Sequence, residues 1–336
     1  MATRETTMLE ALGGEEGCQR LAQEFYSRVA RDAELKPLFP GKSLRCATEE
    51  FSAFLIQFLE GDQDRTQYRW WLSLRESHAR FKISEAQRVA WLGHMHAALS
   101  TVVGDLETCE SWKQFFGTAS HYVVGGSKGG VMKDPELANR WDQQLGLDEL
   151  VDCILGGRDE EAIALSGQFL SRPSVFVGIL ARMMETGRKE LTDYVVSSLE
   201  QHPDLATGRF NDRTLMHFAA AKGCLPVVQS LLRMGVDPDE PDGGNHTALY
   251  RVANGCGSEV GAEIVRELVR AGADVNHAGG MTRSTALHAA ARWGHVAVAE
   301  ALLEAGASRK SRDNKGFTPL DRAINCRKAD VARVLS

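Results

Sequence analysis

The ten histidines are the side chains here whose charge can change near neutral pH, and their settings differ. His78 stands in Leu74-Arg75-Glu76-Ser77-His78-Ala79-Arg80-Phe81-Lys82-Ile83, with apolar residues on both sides of it. A neutral imidazole whose far nitrogen donates to a carbonyl is an oriented, basic metal ligand. A lone histidine in a helical domain is nevertheless more often packed or solvated, so the neighbours must carry the case. His94 and His96 are two apart on a helical stretch and point to different faces, which denies them a joint site. Seven cysteines without a Cys-x-x-Cys pair argue against a zinc site and suit thiols in a reducing, cytoplasmic setting. The Gly-rich passage from Gly125 to Gly130 lacks the Gly-Lys-Ser/Thr ending of a phosphate loop.

Four apolar stripes at helical spacing must position whatever chemistry lies in the first 126 residues. They run Cys18, Leu21, Ala22, Phe25, Val29, then Phe51, Phe54, Leu55, Phe58, Leu59, then Trp91, Met95, Ala98, Leu99, Val102, and finally Trp112, Phe115, Phe116, Ala119, Val123. Ser84 and Gln87 form a capping box that starts the third helix. The stretch from Gly61 to Ile83 shows no sustained period of its own and is long for a structureless loop, so something should order it. The Gly-rich passage and Asp134-Pro135 read as a hinge or linker.

The second half repeats itself. Thr214-Leu215-Met216-His217, Thr247-Ala248-Leu249-Tyr250, Thr285-Ala286-Leu287-His288 and Thr318-Pro319-Leu320-Asp321 recur at 33, 38 and 33 residues. Each block continues into a turn and a second apolar helix, as in Trp293-Gly294-His295-Val296 through Leu302-Leu303-Glu304-Ala305-Gly306-Ala307. This resembles the ankyrin repeat closely. Phe176 to Leu205 has the same helix, glycine, helix rhythm without the signature and reads as a divergent repeat, and Leu150 to Phe169 as another or as a cap. The last unit stops at Ser336, inside what should be its second helix. The resemblance implies structural roles for Thr214, His217, Thr285 and His288, which bond within and between repeats, and a concave face that binds another protein. Tyr250, Arg251, Arg292, Trp293 and Arg322 are the candidate contacts on that face.

The first part resembles the group II truncated haemoglobins. The match begins at Leu9-Glu10-Ala11-Leu12-Gly13-Gly14, passes through Phe25-Tyr26-Ser27-Arg28-Val29 and Pro37-Leu38-Phe39-Pro40, and reaches His78-Ala79-Arg80-Phe81-Lys82-Ile83 and Ala90-Trp91-Leu92. It implies an all-α chain: a short, two-over-two globin in residues 1–126, a linker over 127–140 and an ankyrin solenoid over 141–336, with divergent or capping repeats in 145–208 and clearer ones in 209–336.

What that family uses, it implies here. His78 becomes the proximal ligand of haem b iron, and Tyr26, Trp91, Phe39, Ala47 and Phe51 the distal pocket, with Tyr26 and Trp91 as hydrogen-bond donors to a diatomic ligand, dioxygen or else NO or CO. Ala47 stands where many globins carry a distal histidine, which leaves ligand stabilisation to Tyr26 and Trp91 and opens a way in. Leu55, Leu74, Phe81, Ile83 and Met95 are expected to line the apolar slot, and Arg75 or Arg80 to meet a propionate. His121 has no counterpart in the family. Two departures bear on the loop that positions His78: Gly61-Asp62-Gln63-Asp64 replaces a glycine pair and proline, and Arg80 stands where a proline is common.

At 336 residues, 43% hydrophobic and 25% charged, the chain has room for two domains with real cores. A net charge of −6 without a Lys/Arg run excludes a phosphate-neutralising face, hence a nucleic-acid partner. Apolar stretches fall short of the roughly 18 residues a membrane helix needs. The leading expectation is a gas binder or sensor whose haem state alters an interaction module. A haem redox enzyme, such as a nitric oxide dioxygenase or peroxidase, would need a separate reductase, because no flavin or nicotinamide domain is legible. A haem-free scaffold is the remaining alternative.

Overall fold

A computed structural model describes residues 7–39, 44–60, 72–79, 81–126 and 132–336. The expectations for Pro40, Gly61 to Asp64, Arg80 and Ser127 to Gly130 lie outside the described residues. The chain divides into two compact units, residues 1–152 and 153–336.

The first unit holds α1 (Met8–Leu12), α2 (Gly14–Val29), a 3-10 turn Lys36–Leu38, α3 (Leu44–Glu60), α4 (Leu74–His78), α5 (Glu85–Val102), α6 (Leu106–Val123) and α7 (Pro135–Gly156). Side-chain caps set several starts: Thr7 and Glu10 close a capping box on α1, Ser84 and Gln87 one on α5, and Asp105 accepts the Thr108 amide on α6. Gly17 is required where α2 passes α1, since a Cβ there would lie 1.9 Å from the Leu12 carbonyl oxygen. The four apolar stripes meet in one core around Leu21, Phe25, Leu55, Met95, Leu99 and Trp112.

Leu137 and Trp141 belong to that same core. The linker expected over 127–140 is therefore helical from Pro135, and the division between units falls after Asp152 instead of at 126. The physical reason is the indole, which packs edge-on against Phe115 and Tyr122 at ring-centroid distances of 5.9 and 5.4 Å.

The second unit stacks helix pairs: after α8 (Asp159–Ser166) come α9 (Pro173–Met184) with α10 (Lys189–Gln201), α11 (Leu215–Lys222) with α12 (Leu225–Arg233), α13 (Ala248–Gly255) with α14 (Glu259–Arg270), α15 (Ala286–Trp293) with α16 (Val296–Glu304), and α17 (Pro319–Asn325) with α18 (Ala329–Leu335). One hairpin, β1 (Arg209–Phe210) with β2 (Arg213–Thr214), interrupts the helices. Asn211 and Asp212 turn it with φ of 51° and 57°, a left-handed conformation these two residue types tolerate.

Candidate functional site

Residues from α2, the 3-10 turn, α3, α4, α5 and α6 enclose a mainly apolar cavity of about 480 Å³, within the range of small-molecule sites. The segment after α4 closes it with Phe81 and Ile83. Cavity-facing residues of α3 repeat at three- and four-residue spacing, Ala47, Glu50, Phe51, Phe54 and Gln57, as one face of a helix requires.

His78 is the last residue of α4 and lines this cavity. Its Nδ1 lies 2.9 Å from the Leu74 carbonyl oxygen and 2.8 Å from Ser77 Oγ, while Ser77 Oγ donates to the same carbonyl at 2.7 Å. Since the Leu74 oxygen can only accept, this contact favours a proton on Nδ1, and in the neutral ring that tautomer puts the lone pair on Nε2. A neutral, oriented imidazole with a basic Nε2 is the donor an iron porphyrin needs.

Tyr26, Phe39, Ala47, Phe51 and Trp91 line the same cavity, as do Leu74, Phe81 and Ile83. The Tyr26 ring meets Phe25, Phe39 and Phe51 edge-on, with centroids 4.9, 5.7 and 6.3 Å away, and these contacts fix its direction. Burial, and after it the Glu50 carboxylate, pushes the phenol's pKa up, so the hydroxyl remains a donor at every ordinary pH. Trp91 packs against Phe25 at 5.2 Å and Phe116 at 5.8 Å.

Three expected pocket residues lie elsewhere. Leu55 and Met95 are fully buried in the helix core and do not reach the cavity. Leu55 sits off the cavity-facing stripe of α3, and Met95 one turn beyond the cavity wall that ends at Trp91. Arg75 turns its guanidinium over the Tyr122 ring at 4.0 Å and donates to the Gly126 carbonyl at 3.2 Å, a cation–π contact in place of the cavity rim. Phe58, on the same apolar stripe, packs on Phe115 at 5.0 Å and does not line the cavity.

The cavity also uses residues the sequence did not single out for it. Phe115, Phe116, Ala119, Ser120 and Val123 supply a wall from α6, legible as an apolar stripe but not as a pocket. Arg88 is the arginine among the described lining residues, and Gln144 reaches in from α7. His94 Nε2 lies 2.7 Å from Asp32 and His96 Nε2 3.4 Å from the Lys113 carbonyl, at separate places.

In the second unit Thr214 donates its N–H to His217 Nδ1 at 3.3 Å, and the His217 Nε2–H donates to the His246 carbonyl at 3.0 Å. Thr285, His288 and the Phe317 carbonyl repeat this at 3.2 and 3.0 Å. Each histidine ties its own helix start to the next repeat's loop. Arg251 and Arg322, read as contact candidates, are instead held inside: Asp242 accepts Arg251 Nε at 2.7 Å and Asp313 accepts Arg322 Nε at 2.6 Å. Burial alone would raise the Asp242 carboxyl, but hydrogen bonds from His246 and Arg251 hold it well below the usual carboxylate range. Tyr250 stacks on His246 at 4.1 Å, while the half-exposed Trp293, beneath Arg292, donates its indole N–H to Asn254 at 2.9 Å.

Comparison with known proteins follows this division. The bacterial-like globin family matches residues 7–123, and ankyrin repeats match residues 216–258 and 256–336. The group 2 truncated hemoglobin YjbI of Bacillus subtilis (strain 168) is 36% identical over 89 residues, 26% of this chain and 67% of that protein. The ankyrin repeat and SOCS box protein 11 of Danio rerio is 43% identical over 107 residues, 32% of this chain and 34% of that protein. A transient receptor potential cation channel subfamily A member 1 homolog of Caenorhabditis elegans is 31% identical over 125 residues, 37% of this chain and 10% of that protein. The chain thus spans about a third of the first of these ankyrin relatives and a tenth of the second.

Proposed function

Because the chain belongs to the group 2 truncated haemoglobins through its first unit and carries ankyrin repeats in its second, we propose that it is a haem-based binder of a diatomic gas whose ligand state alters how the repeats meet another protein. The globin family implies haem, and haem b, held by one histidine and by packing, is the form this reading takes. A haem supplies an iron with an open position for dioxygen, NO or CO. The single observation that carries the reading is the 2.9 Å contact of His78 Nδ1 with the Leu74 carbonyl oxygen on the wall of a cavity shared with Tyr26 and Trp91.

The chain's own residues divide the work. His78 offers Nε2 to the metal, with the ring oriented by Leu74 and Ser77. Phe39, Phe51, Phe54, Phe81 and Ile83 keep water off the ring faces. Tyr26 and Trp91 donate O–H and N–H to a ligand that gains negative charge, and in a dry cavity such preorganised donors are worth more than water. Arg88, whose Nε donates to Glu85 at 2.8 Å, is the described cavity-wall cation that a propionate would have to share with that carboxylate.

In the second unit, Tyr250, the half-exposed Trp293 and Arg292 above it are the candidate partner contacts that remain once Arg251 and Arg322 are set aside. A cytoplasmic setting is part of the proposal and rests on cysteine usage. No helix among the described residues is long and apolar enough to cross a membrane.

The test is an absorption spectrum of the purified chain: an intense Soret band, lost in His78→Ala, supports the haem reading. Equal partner affinity of the ferrous ligand-bound, ferrous ligand-free and apo forms would sink the coupling.

A further inference from the structure

Helix α7 lies beyond the span that the globin family matches, yet two of its side chains hold the segment that carries His78. Asp148, 1% exposed, accepts the Leu74 amide N–H at 2.7 Å. Gln144, also buried, donates to the Leu72 carbonyl at 2.9 Å and to Asp148 at 3.2 Å. The Leu74 residue is therefore fixed at both ends: its N–H by Asp148, and its carbonyl as the acceptor that orients the His78 ring.

A helix of α4's length, five residues, cannot hold its own axis, because nucleating a turn costs more than its one or two internal hydrogen bonds return. Its placement must come from neighbours. A buried carboxylate bonded to an amide is a strong, directional anchor, and leaving that carboxylate without the amide would strand a charge in the interior. The anchoring acts by position, since the Leu74 N–H and C=O belong to successive peptide planes. Arg75 adds a second tether through its contact with Tyr122, whose phenol is kept protonated by burial and by the Asp148 charge.

We infer that Asp148 and Gln144 are positioning residues for the iron-binding histidine, acting through Leu74, and that α7 is a working part of the haem site. The inference rests on His78 being the haem ligand. It predicts that loosening Leu74 weakens the Nδ1–H···O bond, lowers the basicity of Nε2 and loosens the hold on haem.

The experiment compares full-length wild type with Asp148→Ala, Gln144→Leu and Asp148→Asn, and with Asp152→Asn, an exposed position one turn on, as the control. The readouts are the ferrous iron–histidine stretching band by resonance Raman and the rate of haem loss to an excess of scavenging apoglobin. On the apoprotein, the His78 ring nitrogen shifts by NMR report which nitrogen holds the proton. In Asp148→Ala and Gln144→Leu the stretching band should fall, haem loss should rise about 10-fold, and the apoprotein ring should gain the Nε2-protonated tautomer. Asp148→Asn keeps an oxygen to accept the Leu74 N–H and should recover most of the wild-type band, and the control should match wild type. If Asp148→Ala does not fold, Gln144→Leu decides. A wild-type band, haem-loss rate and tautomer in Gln144→Leu and in every folded Asp148 variant overturns the inference. Wild-type protein that takes up no haem sinks the haem reading instead, and the apoprotein tautomer still decides whether α7 positions His78.

Discussion

Replacing Tyr26 with phenylalanine removes one oxygen from the cavity and leaves the packing in place, because the ring is held by Phe25, Phe39 and Phe51 through its edges and faces. The loss is therefore confined to one donated hydrogen bond. Bonds to a partner that carries charge contribute about 1.5–3 kcal/mol. At about 1.4 kcal/mol per factor of ten, ligand release from Tyr26→Phe should be roughly 10- to 150-fold faster. Stopped-flow displacement of dioxygen by excess carbon monoxide measures this directly. Because burial and the Glu50 carboxylate push the phenol's pKa up, the wild-type rate should stay flat from neutral pH to about pH 9. Global stability should change by under about 1.5 kcal/mol, so the kinetic effect cannot be attributed to unfolding. A release rate within twofold of wild type in both Tyr26→Phe and Trp91→Phe would refute the assignment of these two residues as donors.

Leu55→Ala should behave in the opposite way, costing about 2–5 kcal/mol in chemical denaturation while ligand release stays near the wild-type rate, because Leu55 packs in the core and does not reach the cavity. In the repeat unit, burial lowers the His217 pKa from 6.5 to about 4. Between those values the unfolded chain binds a proton that the folded unit refuses, so stability falls as pH drops through this window. The total loss is about 3 kcal/mol, and urea melts of His217→Gln should show a flatter pH dependence there. A chain ended at Gly126 loses Trp141 from the first unit's core, a deletion on the scale of about 3–5 kcal/mol. Its melting temperature and haem retention should both fall well below those of a chain ended at Gly156.

The apolar periods made α2, α3, α5 and α6 legible, because each buries one broad stripe and exposes the rest. The repeats were legible because a threonine that caps a helix and a histidine that reaches the next loop must recur at fixed places. What a helical pattern cannot show is which part of a buried stripe faces a cavity. Phe51 and Phe54 do while Leu55 does not, although the three are nearly adjacent. Charge is similarly opaque. Arg75, Arg251 and Arg322 look free in a sequence, but Tyr122 or a buried aspartate nine residues upstream has already engaged each of them. Helix α7 follows a Gly-rich passage that reads as a linker, and although Leu137 and Trp141 join the core, its hold on α4 is polar, through Gln144 and Asp148, and leaves no apolar mark in the sequence.

That polar grip bears on the two places where the sequence departs from the family it belongs to. A proline before His78 and another two residues after it, as the family usually has, would limit backbone freedom by covalent means. The chain has Gly61-Asp62-Gln63-Asp64 and Arg80 at those places, so its sequence lacks that proline restraint. Hydrogen bonds from a separate helix hold Leu72 and Leu74 instead, a restraint that depends on where α7 stands. Because α7 ends at Gly156, four residues past the last residue of the first unit, the restraint on His78 is carried by the segment that leads into the second unit. On the proposed haem reading, an α4 segment held by α7 would make ligand affinity depend on that helix, and by linkage the helix would respond to the ligand.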